Sequence, residues 1–221
     1  MSIITIERKV LEKNDQIAAQ NREKFIQSRI FTINMVSSPG AGKTSILEKT
    51  LSQLKDKINI AIVVGDVQTD LDAQRIEKFG IPVVQIVTHG SCHLDAKLVQ
   101  DAINNMNLDG IQLLIIENVG NLVCPANYDL GEHMKVVIAS IAEGEDKPLK
   151  YPAMFRNASV LIINKIDLLA YTNCNLDLLK NNALRINPNL KVFQTSCTTN
   201  EGINEWCNWL EQKVNETWRK Q

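Results

Sequence analysis

The sequence predicts an α/β fold with a mainly parallel sheet of roughly seven strands, covered by helices on both faces. Short apolar runs recur along the chain, and several are apolar throughout, which is typical of strands buried on both faces. Helix-like stretches separate most of these runs, as expected of strands joined by helical crossovers. The 221 residues are 44% hydrophobic, which is enough for one full-size domain with its own core.

The first element is an N-terminal helix. Residues 2–28 carry apolar side chains near one helical stripe, with charges between them, at Ile3, Ile6, Val10, Ile17 and Phe25. We therefore expect a helical extension over residues 1–29 and a main domain over residues 30–221. The extension either packs on the main domain or serves as an arm for a partner protein.

The main domain alternates strands and helices. The predicted strands cover residues 30–36, 58–65, 81–87, 111–117, 135–142, 158–164 and 190–196. The predicted helices lie near residues 43–56, 69–79, 92–106, 175–185 and 202–218. In such sheets ligands bind at the carboxyl ends of the strands, so functional residues are expected directly after each apolar run.

Composition and charge exclude several classes of protein. The net charge of −1 gives no field that would attract nucleic acid, and we expect none as a partner. No apolar run approaches the roughly 18 residues of a membrane span, so no membrane association is expected. The N-terminus gains charges too early for a signal peptide, which predicts a cytoplasmic protein. The five cysteines are scattered along the chain, and in a reducing compartment we expect them to be thiols.

A phosphate-binding loop follows the first strand, in "SSPGAGKTS" at residues 37–45. The general pattern is G-x-x-x-x-G-K-[ST], and Ser37 stands where the first glycine belongs. The alternative is a glycine-rich turn without a ligand, but Gly-Lys-Thr between a strand and a helix favours a nucleotide. Lys43 would bridge the β- and γ-phosphates, and Thr44 would bind Mg²⁺. The expected nucleotide contacts are Pro39, Gly40, Ala41, Gly42, Lys43, Thr44 and Ser45.

A base-reading motif follows the sixth strand, as Asn164-Lys165-Ile166-Asp167. Asp167 can accept two hydrogen bonds from guanine, whereas adenine would leave its carboxylate unpaired. After the last strand, the backbone of Ser196 and Cys197 is expected at the guanine oxygen, although Cys197 is equally explained as a small buried residue. These motifs predict that residues 30–221 are a GTPase domain that binds GTP and GDP.

Acidic residues at two strand ends are expected around the γ-phosphate. We assign Asp66 to positioning the attacking water or the γ-phosphate and Asp72 to Mg²⁺, while helix charge complementarity explains Asp70. Glu117 and Gly120 form E-x-x-G, with Glu117 holding Mg²⁺ and Gly120 donating its N–H to the γ-phosphate. The expected catalytic residues are Lys43, Asp66, Glu117 and Gly120. No glutamine or arginine is obvious for orienting the water, so slow hydrolysis is expected.

A possible transition-metal site comes from "GSCH" and the Cys-Pro pair. We place Ser91 as a helix cap and Cys92 and His93 in the first helical turn, where the helix dipole favours a thiolate. Cys124 offers a second thiolate. A lone Cys–His pair is usually not a ligand set, and three ligands leave the fourth position to water or to a dimer two-fold. His89 and His133 are reserve ligands.

Five segments in this order, "SSPGAGKTS", "GDVQTDLDA", "CHLDA", "ENVGNLVCPANYDLGEH" and "NKIDLL", closely resemble the HypB family of nickel-incorporation GTPases. The resemblance covers nearly the whole chain from about residue 5. It implies a SIMIBI-class P-loop GTPase that forms a homodimer when GTP is bound. It also implies Ni²⁺ or Zn²⁺ at Cys92, His93 and Cys124 between subunits, a HypA-like metallochaperone as partner, and delivery to the hydrogenase large subunit.

Two departures from the family limit what is transferred. The chain begins "MSIITIERK", without the Cys-rich or His-rich N-terminal stretch of some relatives, so tight N-terminal nickel binding is not expected. Lys97 stands where some relatives have a histidine, which puts a second metal ion there in doubt. Two alternatives stay open: a urease-type nickel GTPase, and a metal-chaperone scaffold that binds GTP without significant turnover.

Overall fold

The computed structural model describes residues 6–66, 71–88 and 90–219. Its centre is a seven-stranded sheet in the order β3-β2-β4-β1-β5-β6-β7, in which every neighbouring pair of strands is parallel. The strands are β1 Phe31–Ser37, β2 Ile60–Asp66, β3 Val83–Val87, β4 Leu113–Glu117, β5 Met134–Ser140, β6 Val160–Asn164 and β7 Lys191–Thr195. The predicted fold class and strand number are confirmed.

Helices connect the strands. They are α1 Ile6–Gln27, α2 Lys43–Leu54, α3 Leu71–Glu77, α4 Ala96–Asn104, α5 Lys147–Lys150, α6 Pro152–Arg156, α7 Leu176–Ile186 and α8 Ile203–Arg219. Short 3₁₀ turns cover Cys124–Asn127, Ile141–Glu143 and Ile166–Tyr171. None of the helices in the described ranges combines the length and the apolar character needed to cross a bilayer.

Both faces of the sheet are buried, which explains the continuous apolar runs in the sequence. In β4, Leu113 and Ile115 point to one face and Leu114 and Ile116 to the other, and all four are buried. Helices α2, α3 and α8 cover the first face. The second face is covered by α1 and α4 over one half and by α6 and α7 over the other.

Helix α1 packs on the main domain, as the first of the two alternatives predicted. Phe25 shares a core with β2 and β4, but Val10 is 47% exposed, so the apolar stripe describes the contact only in part. Two buried asparagines make the specific contacts. Asn21 Nδ2 donates to the carbonyl oxygens of Ala96 and Leu130, and Asn14 Oδ1 accepts from the Ala96 N–H.

Candidate nucleotide and metal sites

A cavity of about 530 Å³ lies at the carboxyl ends of the central strands, where the sequence places the phosphate loop. Its lining includes residues from the loop after β1, the end of β2, helix α3 and the segment after β4. These residues are Ser37, Pro39, Gly40, Gly42, Lys43, Thr44, Ser45, Asp66, Asp72, Arg75, Val119, Gly120 and Lys165. The other expected contacts, Ala41, Glu117, Asn164, Asp167, Ser196 and Cys197, lie outside this lining.

The loop before α2 has the geometry of an anion site. Gly40 and Gly42 both have left-handed backbone angles, with φ of 75° and 99°. Gly42 is the N-cap of α2 and makes no side-chain cap, so the first N–H groups of the helix are left for a ligand. A side chain at position 42 would also collide with Asn164. Ser37 is the buried last residue of β1, which explains why glycine is not needed there.

Glu117 lies at the end of β4, 1% exposed, beside the first residues of α2. Its Oε1 accepts from Thr44 Oγ1 at 2.7 Å and lies 3.9 Å from Lys43 Nζ. Its Oε2 is buried and has no hydrogen-bond partner among the described residues. Burial raises the pKa of Glu117, although the Lys43 charge opposes that shift. An orphaned carboxylate oxygen next to a threonine hydroxyl suits a hard cation such as Mg²⁺.

Gly120 lies against the phosphate loop. A Cβ placed on Gly120 would come 3.2 Å from Pro39 Cα, which is closer than most real contacts of that kind. The segment after β4 therefore lies so close to the loop that a side chain at position 120 would require a small shift of Pro39 or of the segment itself.

An arginine that the sequence analysis did not identify also lines the cavity. Arg75 forms a bidentate ion pair with Glu48, with Nη2–Oε2 at 2.6 Å and Nε–Oε1 at 3.0 Å. Its Nη1 lies 3.5 Å from Asp72 Oδ1, within the first turns of α3. The i,i+3 spacing of Asp72 and Arg75 in the sequence could have predicted that these two side chains meet. Asp66 lines the same wall, and Asp70 lies outside the described residues.

The base-reading motif is tied to the phosphate loop. Asn164 Nδ2 donates to the Ala41 carbonyl at 2.9 Å, and Lys165 Nζ donates to the Gly40 carbonyl at 2.7 Å. Lys165 adopts a left-handed conformation, with φ of 64°. Asp167, half-buried, follows in the 3₁₀ turn after β6. The first two residues of the motif thus hold the phosphate loop.

The loop after β7 is arranged differently from the expectation for Ser196. The Ser196 N–H donates to the Glu201 carbonyl at 3.0 Å, and its Oγ accepts from the N–H groups of Thr198 and Thr199. Its polar atoms therefore stabilise the loop itself, which argues against a contact between its N–H and guanine. Burial raises the pKa of the Cys197 thiol to about 11, so the side chain is neutral.

Cys92, His93 and Cys124 lie together, with one ligand atom of each within 4.8 Å of the others. Cys92 Sγ is 3.6 Å from His93 Nδ1, and the His93 ring contacts Tyr128, with centroids 4.0 Å apart. The neighbouring Cys124 thiol raises the pKa of Cys92, and burial lowers the pKa of His93. All three side chains are half-buried, so an ion bound there could still reach solvent or a second ligand source.

The expected helical start at Ser91 is wrong. Helix α4 begins at Ala96, and its N-cap is Asp95, whose side chain accepts from the Leu98 N–H at 2.8 Å. Cys92 and His93 therefore lie in the loop before the helix, and the predicted help from the helix dipole does not apply to Cys92. The competing cap was visible in the sequence, because aspartate is as good an N-cap as serine.

The family model described as CobW/HypB/UreG, nucleotide-binding domain, matches residues 31–194. The hydrogenase maturation factor HypB of Escherichia coli (strain K12) is 47% identical over 209 residues, covering 95% of this chain and 72% of that protein. The chain belongs to the HypB family. The probable HypB of Methanocaldococcus jannaschii is 40% identical over 216 residues, covering 98% of each chain.

A solved HypB structure has the same fold. The crystal structure of HypB from Helicobacter pylori in complex with nickel has a TM-score of 0.88 and 38% identity, and the match covers 95% of this chain and 98% of that one. The predicted family is therefore confirmed by sequence and by structure. The family model also describes the matched region as nucleotide-binding, in agreement with the loop geometry around Gly42.

In this HypB-family chain, Lys135 holds the turn of the candidate metal cluster formed by Cys92, His93 and Cys124, whereas His133 makes contacts of its own. Lys135 is buried, and its Nζ donates to the carbonyls of Pro125, Ala126 and Tyr128 in the turn that carries Cys124. Because Lys135 begins an apolar run in the sequence, its burial could have been predicted. The reserve ligand His133 accepts from the Thr32 N–H through Nδ1, which is a structural contact. His89 lies outside the described residues.

Lys97 does not extend the metal cluster. It lies in the first turn of α4, largely exposed, and forms an ion pair with Asp101 at 2.7 Å. An ammonium group is a donor without a lone pair, so it cannot replace the histidine found in some relatives as a metal ligand.

Proposed function

We propose that this chain is a metal-binding GTPase that couples GTP hydrolysis and dimerisation to nickel delivery during [NiFe]-hydrogenase maturation. Membership of the HypB family supports the pathway, and the nickel complex of the Helicobacter pylori protein supports the metal. One observation carries the proposal for this chain. A single short segment contains Glu117, beside the phosphate loop, and Cys124, in the thiol–imidazole cluster.

The phosphate roles are given mainly to residues that line the cavity, and the base roles to residues outside its lining. The N–H groups of residues 40–45 cradle the phosphates beside Pro39, with Lys43 neutralising the β- and γ-phosphates. Asp167 accepts two hydrogen bonds from guanine, and the Cys197 backbone takes the guanine oxygen. Thr44, Asp72 and Glu117 hold Mg²⁺, which when bound offsets the charge of the transferring phosphoryl group.

Hydrolysis needs an aligned water and a stabilised phosphoryl group. Asp66 positions the water or the γ-phosphate from the end of β2, and Gly120 donates its N–H to the γ-phosphate. Lys43 and Arg75 supply positive charge at the cavity wall. Because Glu48 and Asp72 already pair with Arg75, that charge is only partly available, and we expect slow turnover.

Cys92, His93 and Cys124 bind the metal cargo, Ni²⁺ or Zn²⁺. Two sulfur ligands and an imidazole suit either ion, and three ligands leave a coordination position for water or for a second protomer. We place the site between the subunits of a homodimer that GTP promotes. Loss of the γ-phosphate shifts the segment at Gly120, and Cys124 moves with it.

The partners follow from the family. We propose a HypA-like metallochaperone as a partner and the hydrogenase large subunit as the direct or indirect recipient of the ion. We also propose that residues 1–29 are an N-terminal helical extension and that residues 30–221 are the GTPase domain with the inserted metal site. We also propose a cytoplasmic location, because a reducing compartment keeps cysteine ligands as thiols.

The test is metal stoichiometry measured against oligomeric state, with GDP and with a non-hydrolysable GTP analogue. We expect the analogue to favour a dimer and to change metal affinity. Cys92→Ala and Cys124→Ala should each abolish stoichiometric binding of Ni²⁺ or Zn²⁺ while leaving GDP affinity largely intact. Full retention of metal by both variants would remove the site.

Two assays separate the alternatives. Single-turnover hydrolysis with Mg²⁺ should release phosphate faster than the Lys43→Ala variant, and equal rates would favour a scaffold that binds GTP without turnover. Deletion of the gene should lower hydrogenase activity, which is assayed together with urease activity. Loss of urease alone would favour the urease-type assignment.

A further inference from the structure

Asn118 lies between the two residues assigned to Mg²⁺ and the γ-phosphate, Glu117 and Gly120. Its side chain is 1% exposed, and its N–H donates to the Met35 carbonyl of β1 at 3.0 Å. A buried amide at this place must satisfy its donors and acceptor within the protein. Its hydrogen-bond partners therefore show what the segment after β4 is attached to.

The Asn118 amide oxygen is attached to the loop that carries Cys92 and His93. Oδ1 accepts from the Leu94 N–H at 3.0 Å and from the Val119 N–H at 2.9 Å. Leu94 directly follows His93 and is fully buried. One side-chain oxygen thus joins the segment at the phosphate cavity to the backbone next to a metal ligand.

The amide nitrogen of Asn118 holds the opposite side of the contact. Nδ2 donates to Asn34 Oδ1 at 3.2 Å, and Asn34 Nδ2 donates to Glu132 Oε1 at 3.2 Å. Asn34 belongs to the central strand β1 and is fully buried. Exchanging the oxygen and nitrogen of the Asn118 amide would place a donor against the Leu94 N–H and an acceptor against Asn34 Oδ1. The orientation of this amide is therefore fixed.

Leu94 also packs against the other strand end of the nucleotide cavity. A Cβ on Gly65 would come 2.8 Å from Leu94 Cδ1, so the leucine occupies the space that a side chain in β2 would fill. Asp66, which lines the cavity, is the next residue. The loop with Cys92 and His93 is thus held against two strand ends, by packing at Gly65 and by a hydrogen bond at Asn118.

We infer that Asn118 is a positioning residue that transmits the nucleotide state to the Cys92–His93 half of the metal site. The inference rests on the proposed function. Cys124 is joined to Gly120 by a few residues of chain, but Leu94 and Asn118 are 24 positions apart. Without the Asn118 hydrogen bond, movement of the segment after β4 would displace one thiolate and leave the other two ligands behind.

The test compares Ni²⁺ affinity in the GDP state and in the GTP-analogue state, using the full chain and the thiolate-to-nickel absorbance. In the unsubstituted protein we expect the two affinities to differ about 5–150-fold, the usual range for coupled sites. In Asn118→Ala we expect the ratio to fall to about twofold or less, with the Ni²⁺ stoichiometry and the GDP affinity of the unsubstituted protein retained. A merely structural role would lower stability and leave the ratio unchanged.

Two variants control for damage to the fold. Asn34→Ala removes an equally buried amide from the same network without touching Leu94, so its ratio should stay that of the unsubstituted protein. Asn118→Asp combined with Glu132→Gln keeps the acceptor for Leu94 and the total charge, and lets the Asn34 amide turn so that it donates to residue 118 and accepts from residue 132. This double variant should restore most of the ratio, which also tests the inference if Asn118→Ala does not fold. An unchanged ratio in Asn118→Ala, or loss of the ratio in the double variant, overturns the inference alone. An unsubstituted protein with equal affinities in both states overturns the inference and the coupling in the proposed function together.

Discussion

Glu117 uses its two carboxylate oxygens differently. Oε1 accepts from Thr44, whereas Oε2 is buried without a partner among the described residues. An ionised carboxylate in this position costs free energy of folding unless a cation is bound. Burial raises the pKa of Glu117 even with Lys43 nearby, so in the absence of ligand this group lowers stability as pH rises above its unfolded pKa of 4.5.

We therefore expect Glu117→Gln to have opposite effects on stability and on turnover. At neutral pH the nucleotide-free variant should resist urea as well as or better than the unsubstituted protein, and the difference should shrink as pH falls towards 4.5. Single-turnover hydrolysis with Mg²⁺ should fall by about 100-fold or more. A variant that is less stable than the unsubstituted protein and still hydrolyses GTP normally would contradict both assignments.

Asp167 should determine the choice of base. We expect GDP to compete for the site far better than ADP, because adenine lacks the donor pair that a carboxylate needs. In Asp167→Asn, GDP should bind about 10–100-fold more weakly, since an amide presents a donor to a donor. The diphosphate of xanthosine, which carries an acceptor at that position, should regain affinity. Equal competition by GDP and ADP in the unsubstituted protein would remove the role of Asp167.

At the scale of elements, the strands were predictable and the start of α4 was not. The five inner strands are buried on both faces, and this produces a continuous apolar signal that turns and helices interrupt. Two residues, Ser91 and Asp95, could each be the N-cap of α4, and the choice decides whether Cys92 and His93 lie in the helix or in the loop before it. That choice is made by tertiary contacts, since Asn14 of α1 accepts from the Ala96 N–H and Asn118 from the Leu94 N–H.

The turn Cys124–Asn127 is held by a buried cation. Lys135 Nζ donates to three of its surrounding carbonyls at 3.1–3.2 Å and lies 3.9 Å from Glu132 Oε1. We expect Lys135→Met to lower the free energy of unfolding by about 3–5 kcal/mol, because Glu132 loses its counter-charge. Nickel affinity should also fall, since Cys124 loses its support.

A matched variant separates the two effects of Lys135. Asn157→Ala removes one amide donor from the Ala126 carbonyl of the same turn, and should cost about 1 kcal/mol with little change in nickel affinity. Urea unfolding and nickel titration of both variants provide the comparison. Equal nickel affinity in Lys135→Met and the unsubstituted protein would show that the turn does not need this lysine to present Cys124.

At the scale of the whole molecule, the metal cluster lies beside an exposed apolar residue. Val123 is 63% exposed and immediately precedes Cys124, a proposed metal ligand whose side chain is half-buried. We expect the GTP analogue and Ni²⁺ to promote a homodimer that covers Val123. Val123→Asp should weaken that dimer by about 10-fold or more, without changing the affinity of the monomer for GDP.

The control for Val123 is Ile26→Asp on α1, which changes a residue that is 60% exposed and should leave the dimer intact. Analytical ultracentrifugation with GDP and with the analogue measures both variants. A dimer that resists Val123→Asp, or that dissociates equally with Ile26→Asp, would place the interface elsewhere.

Four features could be predicted from residue order alone: the parallel sheet, the phosphate loop, the Asn164–Asp167 motif and the pairing of Cys92 with His93. Each of these depends on residue type and short spacing, through apolar periodicity, glycine conformations and ligand chemistry. Tertiary structure decided which side chains meet from distant parts of the chain: Arg75 with Glu48, Lys135 with the turn of Cys124, and Asn118 with Leu94. Buried polar groups must find partners wherever the fold brings a donor and an acceptor together, and no local pattern in the sequence records that meeting.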